Sequence, residues 1–96
     1  MEPEALFILQ CEKDFLCVFP GAWWYKIPDG PVSGKRPFDV MAIAIGIPFC
    51  FEMKVNTSLT LYQKVNLDRT RKNGAKSYLV TPENWPGILN AIRRIR

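Results

Sequence analysis

Two hydrophobic patterns alternate along the chain, one recurring every three to four residues and one running almost unbroken over short stretches. The first opens the sequence. After Pro3, the segment EALFILQCEKDFLCV carries Ile8, Cys11, Phe15 and Val18 at helical spacing and predicts a helix over residues 4–18, ended by Pro20-Gly21. WWYKI then predicts a short aromatic strand, and PDGPVSGK is loop by composition. DVMAIAI and PFCFEMKV are strand-like runs separated by Gly46-Ile47, which predicts a hairpin of undetermined turn type. Asn56, Thr57 or Ser58 is expected to cap a helix running through LTLYQKVNLDRTRK to the stop signal Asn73-Gly74. AKSYLV predicts another strand. Thr81-Pro82-Glu83 opens a last helix, with Pro86 in or near its first turn.

The resulting order is helix, strand, hairpin, helix, strand, helix. It predicts an α/β architecture in which a small mixed sheet is flanked by helices. At 96 residues the chain is expected to form one domain with one core.

Composition narrows the chemistry. Hydrophobic residues make up 48% and charged residues 23%, the balance of a globular protein. No apolar run approaches the roughly 20 residues of a membrane span, and the acidic start lacks the basic opening of a secretory signal. A soluble cytoplasmic protein is expected, with no membrane partner; so compact a chain also suits a phage protein in its host's cytoplasm. Cys11, Cys17 and Cys50 cannot all pair and match no zinc spacing, which predicts buried free thiols. Histidine is absent, which removes Ser-His-Asp and Cys-His nucleophilic sites and histidine-ligated metals. Catalysis would have to rest on carboxylates, lysine, arginine or tyrosine.

The net charge of +4 permits a polyanionic partner, and the distribution of cations makes one worth testing. Lys64, Arg69, Arg71, Lys72 and Lys76 crowd one stretch, and Arg93, Arg94 and Arg96 another. Lys35 and Arg36 precede Pro37-Phe38-Asp39, with Lys26 upstream of the same loop. A solvated helix face would explain any one cluster alone.

Three charges interrupt the most strand-like segment. Asp39 opens the first run, and Glu52 and Lys54 share one face of the second, being two residues apart on a strand. If the hairpin turns around Gly46, all three converge at one sheet edge. Two nearby carboxylates repel, and unpaired burial costs each several kcal/mol. A divalent cation relieves both problems, and oxygen donors suit Mg²⁺ or Mn²⁺. A cross-strand salt bridge is the structural alternative. Two helical residues extend the set. Glu4 falls on the apolar stripe of the first helix, where it either meets the site or faces solvent at the helix end, whereas Asp14 lies towards the stripe's edge. Gln63 lies one turn from both Leu59 and Leu67, so its amide is bonded either in the core or at the site.

Asp39, then Glu52-Met53-Lys54, then a helix bearing Gln63, resembles the PD-(D/E)XK nuclease superfamily. KIPDGPVSGKRPFDV followed by GIPFCFEMKV is similar to the RecU-type Holliday junction resolvases and their small phage relatives, with the VRR-Nuc nucleases as the neighbouring match. The resemblance runs from about Trp23 to Val80. It implies a restriction-endonuclease-like fold and Mg²⁺-dependent hydrolysis of DNA phosphodiesters, with Mn²⁺ as a substitute. Asp39 and Glu52 would hold the metal with the Met53 carbonyl, Lys54 would position the attacking water, and Gln63 would lie near the site. Glu4 would match the first-helix acid, with Glu12 as a rival. Lys26, Lys35, Arg36, Lys64, Arg69, Arg71 and Lys72 would meet the DNA.

Two departures from the pattern are visible. Phe38 separates Pro37 from Asp39, and the loop from Pro28 to Pro37 is short where the resolvases project a longer segment into the junction. The resolvases are homodimers, which makes Phe19, Trp23 and Trp24 candidate dimer contacts beside their alternative role in the core. The expected function is a structure-specific endonuclease for branched or junction DNA. The alternatives are a VRR-Nuc-like flap nuclease and a non-catalytic nucleic-acid-binding module on the same fold.

Overall fold

The structure, a computed structural model, describes residues 3–28, 38–55 and 59–95. Helix α1 spans Pro3–Val18, strand β1 Trp23–Lys26, β2 Val40–Ala44 and β3 Ile47–Met53. Helix α2 (Leu61–Lys72), strand β4 (Lys76–Val80) and helix α3 (Trp85–Ile95) complete the chain. The strands form one sheet in the order β1-β2-β3-β4. β1, β2 and β3 pair antiparallel, whereas β4 lies parallel to β3. A parallel neighbour requires a crossover, and α2 supplies it. The architecture is therefore α/β with a mixed sheet flanked by helices, in the order expected.

The hairpin turn sits one residue earlier than the Gly46-Ile47 break suggests. Ala44 pairs with Ile47, which leaves Ile45-Gly46 as the two turn residues. Both have positive φ, 45° and 78°, the pattern of a type I′ turn. Glycine adopts this conformation freely; Ile45 does so against the contacts of its branched side chain.

The cap of α2 also differs from expectation. Residues 56–58 lie outside the described residues, and the cap is Thr60. Its hydroxyl accepts from the Gln63 N–H at 3.2 Å, while Gln63 Oε1 accepts from the Thr60 N–H at 3.0 Å. This reciprocal capping box starts the helix at Leu61. Asn73 closes it, and Gly74 follows at φ 99°. The last helix begins at Trp85, later than Thr81-Pro82-Glu83 suggests. Thr81 and Asn84 exchange side-chain and backbone bonds of 2.8 and 3.2 Å ahead of it.

The two sheet faces are covered differently. Trp24, Val40, Ala42, Phe49, Phe51, Met53 and Val80 point to the side of α1 and α3. Phe15 is the hub there, with ring centroids 5.2–5.8 Å from Phe49, Trp24 and Phe51. Trp85 meets Phe51 edge-on and donates its indole N–H to Asp14 Oδ2 at 3.0 Å, which ties α3 to α1. The expected stripe Ile8, Cys11, Phe15 and Val18 is buried. Phe19 and Trp24 belong to this core assembly, so two of the three expected dimer contacts are packing residues. Trp23 remains exposed.

α2 covers only half of the opposite face. Thr70 bonds Ser77 at 2.6 Å and Leu67 is buried beneath the helix, over β3 and β4. Cys11 and Cys50 are buried thiols, as expected, but Cys17 is an exposed one. Among the described residues no helix is long and apolar enough to cross a membrane.

Candidate functional site

Strand alternation sets the site. Residues 41 and 43 point to the α2 side of the sheet, as do 50 and 52 on β3, while Asp39 immediately precedes β2 and reaches β3 by accepting the Met53 N–H. Asp39 and Glu52 are both deeply buried, with 3% and 1% of their surfaces exposed. They sit where β2 begins and β3 ends. That is the carboxyl end of the parallel strand pair, the end at which open α/β sheets gather ligands.

Each carboxylate is held by the elements around it. The Asp39 N–H donates to Phe51 O at 3.1 Å, and Ile27 N–H donates to Asp39 O at 2.9 Å, which fixes the Asp39 backbone between β1 and β3. Asp39 Oδ2 then accepts the Met53 N–H at 2.7 Å, at the short end of the N–H···O range. Phe51 and Met53 turn their backbone groups towards β2, so the Met53 carbonyl lies on the Asp39 side of the strand. Glu52 Oε1 accepts from Gln63 Nε2 at 3.0 Å and lies 4.0 Å from Lys54 Nζ. The Lys54 backbone is anchored by its N–H to Val80 O at 2.8 Å.

Gln63 settles a question the sequence leaves open. Its amide oxygen closes the α2 capping box and its amide nitrogen reaches Glu52. The side chain is thus committed to the site, and the positive end of the α2 dipole lies beside the carboxylates. Asp39, Glu52, Met53, Lys54 and Gln63 form one constellation.

The remaining expected residues divide. Glu4 is half-buried on α1, which packs on the other sheet face, and nothing brings it into this constellation. Glu12 lines a cleft of about 240 Å³ with Lys26, Trp24 and Ile8. Lys26 pairs with Val40 and so points to the α1 side, away from Asp39. Lys64, Arg69 and Lys72 are exposed on α2. Arg71 is partly engaged by Ser77 O and by Asp68 at 3.5 Å. Lys35 and Arg36 lie outside the described residues.

No family model, curated protein or solved structure matches the chain. The functional reading therefore rests on the chemistry of the donor set. Among the described residues no group of three or more His, Cys, Asp or Glu side chains is placed to hold a metal ion. Two carboxylates and a backbone carbonyl are left for an ion, because the Gln63 amide oxygen accepts from the Thr60 N–H and its amide nitrogen faces Glu52. All are hard oxygen donors, and a set with few protein ligands suits Mg²⁺, which retains several waters. The residues present fit that ion.

Sequence reasoning missed Thr60. The Thr60-x-x-Gln63 pattern of a capping box marks it, and that pattern also explains the fixed orientation of Gln63.

Proposed function

We propose that the protein is a Mg²⁺-dependent endonuclease of the PD-(D/E)XK kind, acting on branched or otherwise structured DNA. One observation carries the reading. Two almost fully buried carboxylates lie at the same end of the sheet, one bonded to the Met53 N–H and the other to Gln63, with Lys54 beside it. A core has no use for such a group. Burying a charge costs several kcal/mol even when it is paired, and hydrophobic residues of similar volume would do the packing as well or better. The order of elements, a helix and three antiparallel strands followed by a crossover helix and a parallel strand, also supports the restriction-endonuclease-like fold that the motif implies.

In this reading Asp39, Glu52 and the Met53 carbonyl hold the ion. When bound, Mg²⁺ lowers the pKa of water and neutralises charge on the phosphoryl oxygen. Gln63 fixes the Glu52 carboxylate through its amide, and α2 in turn fixes Gln63 through the capping box. Lys54, 4.0 Å from Glu52, would orient the attacking water or offset the negative charge that develops in hydrolysis. Burial of Asp39 and Glu52 keeps bulk water from screening these interactions.

The test is cleavage of labelled four-way junction, flap and linear duplex DNA with Mg²⁺, Mn²⁺ or EDTA, beside Glu52→Gln. Metal-dependent cutting that disappears in the variant supports the reading, and the preferred substrate separates resolvase-like from flap activity. Binding of all substrates with no cutting under any condition would reject it in favour of a non-catalytic nucleic-acid-binding module.

A further inference from the structure

Among the described residues, no helix covers the part of the Glu52 sheet face that lies over β1 and β2. Trp23 pairs with Ile43 and Tyr25 with Met41, so all four side chains point to that face. Trp23 and Tyr25 are 49% and 46% exposed, and their rings lie parallel, 9° apart in plane with centroids at 5.4 Å. Ile43 beside them is exposed too. Met41 pairs with Cys50, which stands two residues from Glu52 on β3, a rise of about 7 Å.

The opposite wall of this surface is one flank of α2, and its identity follows from hydrogen bonds. Lys54 donates to Val80 O, so in β4 the carbonyl of Ser77 points away from β3 to the outer edge. Arg71 bonds that carbonyl, which places the Arg71 flank of α2 at the outer edge. Tyr62, Asn66 and Arg69 occupy the other flank, facing the open half of the sheet. Asp68, the acid of this helix, lies on the outer flank with Arg71. The charge that borders the open surface from α2 is therefore the cation Arg69.

We infer that Trp23 and Tyr25 are a stacking platform for unpaired nucleotides next to the scissile phosphodiester, so that the substrate class is DNA containing a single-stranded stretch. The inference rests on the nuclease reading and deepens it. Exposed flat rings accept bases of any sequence, and a cation across the surface matches the phosphate backbone that such bases carry. An apolar protein partner would gain from the same rings but not from Arg69. Continuous duplex keeps its bases in the stack and offers the rings nothing.

The experiment is binding, without metal, of fluorescent dT12 and of a 12-base-pair duplex, to the wild type and to Trp23→Leu/Tyr25→Leu. Leucine keeps apolar bulk and removes the aromatic faces; Trp23→Phe/Tyr25→Phe retains them, and thermal melts confirm that each variant folds. The wild type is expected to prefer dT12, and the leucine variant to lose about tenfold or more of that preference, with the phenylalanine variant recovering most of it. Loss of dT12 preference in the leucine variant, in a protein that cuts no DNA, would uphold the platform and reject the nuclease. Equal binding of dT12 and duplex by the wild type would overturn the platform and leave the nuclease reading standing. Binding of neither would overturn the platform, and the nuclease reading would stand or fall on the cleavage assay. Self-association of the wild type that the leucine variant abolishes, with dT12 affinity unchanged, would assign the surface to a second copy and overturn the platform.

Discussion

Gln63 donates its amide to Glu52 at 3.0 Å while the same side chain closes the capping box of α2. One residue thereby sets where the helix begins and how a buried carboxylate is oriented. Removing it should disturb both. Gln63→Ala is expected to cost about 1–2 kcal/mol of stability, from the lost capping bond and the lost donor. Gln63→Glu keeps the acceptor for the Thr60 N–H but sets a second carboxylate against Glu52. Like charges at that range cannot both ionise freely, so cleavage should fall and its pH profile should move upward. Urea unfolding and pH-rate profiles of both variants check this; unchanged profiles in Gln63→Glu would separate Gln63 from the chemistry.

Glu52 is held almost out of water, so its charge burdens the fold when no metal is bound. In EDTA, Glu52→Gln should melt at or above the wild-type temperature, because a neutral isostere removes a buried charge and retains the bond from Gln63. Added Mg²⁺ should raise the wild-type melting temperature, by about 1.4 kcal/mol of stability at ten times its Kd, and leave the variant unmoved. A melt series in EDTA and Mg²⁺ reads this without any substrate. Asp39→Asn should behave similarly and, like Glu52→Gln, abolish cleavage while DNA binding persists.

The cations of α2 divide into flanks, and the division makes a prediction. Arg69 borders the open sheet face, whereas Arg71 is tied to Ser77 O. Arg69→Ala should weaken DNA binding and flatten its salt dependence by about one unit of slope. Arg71→Ala should affect stability as well, since it releases the Ser77 carbonyl at the sheet edge. Affinity measured across a salt series, paired with unfolding curves, distinguishes the two.

How much of this was legible in the sequence depended on the range of the interaction. The helical stripe of α1, the strand runs and the convergence of Asp39, Glu52 and Lys54 follow from spacings of two and of three to four residues. The α2 cap did not, because Asn56, Thr57 and Ser58 all carry cap-forming side chains and only the Thr60–Gln63 reciprocity chooses among the options. The fate of Glu4 depended on which sheet face receives α1, a tertiary fact that no local spacing encodes. The direction of Lys26 is of the same kind: its pairing with Val40, set by register, turns it to the α1 side of the sheet. Phe19 and Trp24 look like interface aromatics in the sequence until the hub of Phe15 claims Trp24 and packs against Phe19.

The hairpin turn carries a removable strain. Ile45 holds φ at 45°, where a branched side chain costs about 1–2 kcal/mol. Its side chain is 64% exposed, so packing does not compensate. Ile45→Asn gives Asn-Gly, the preferred pair for this turn, and should stabilise the protein by about 1 kcal/mol. For a domain of this size that is roughly 4–8 °C in Tm. A melt no higher than wild type would mean that Ile45 gains from contacts outweighing its backbone cost.

Cys11 gives the protein an alkaline limit. Burial above all, with the Asp14 charge as a second cause, pushes its thiol from 9.0 up to about 12. The folded state therefore holds the proton more tightly than the unfolded chain. Below pH 9 both states are protonated and the contribution is fully present; between about pH 9 and 12 the unfolded chain ionises first and stability falls, by up to about 1.4 kcal/mol per pH unit. The wild-type curve sums every group in the protein, so it alone does not isolate the thiol. Cys11→Ala does: it should be less stable than the wild type at pH 7, through the small cavity it leaves, yet lose less stability between pH 8 and 10.5. Urea midpoints of the two proteins across that range should converge. Parallel decline would mean that the Cys11 thiol ionises as readily in the fold as in the open chain.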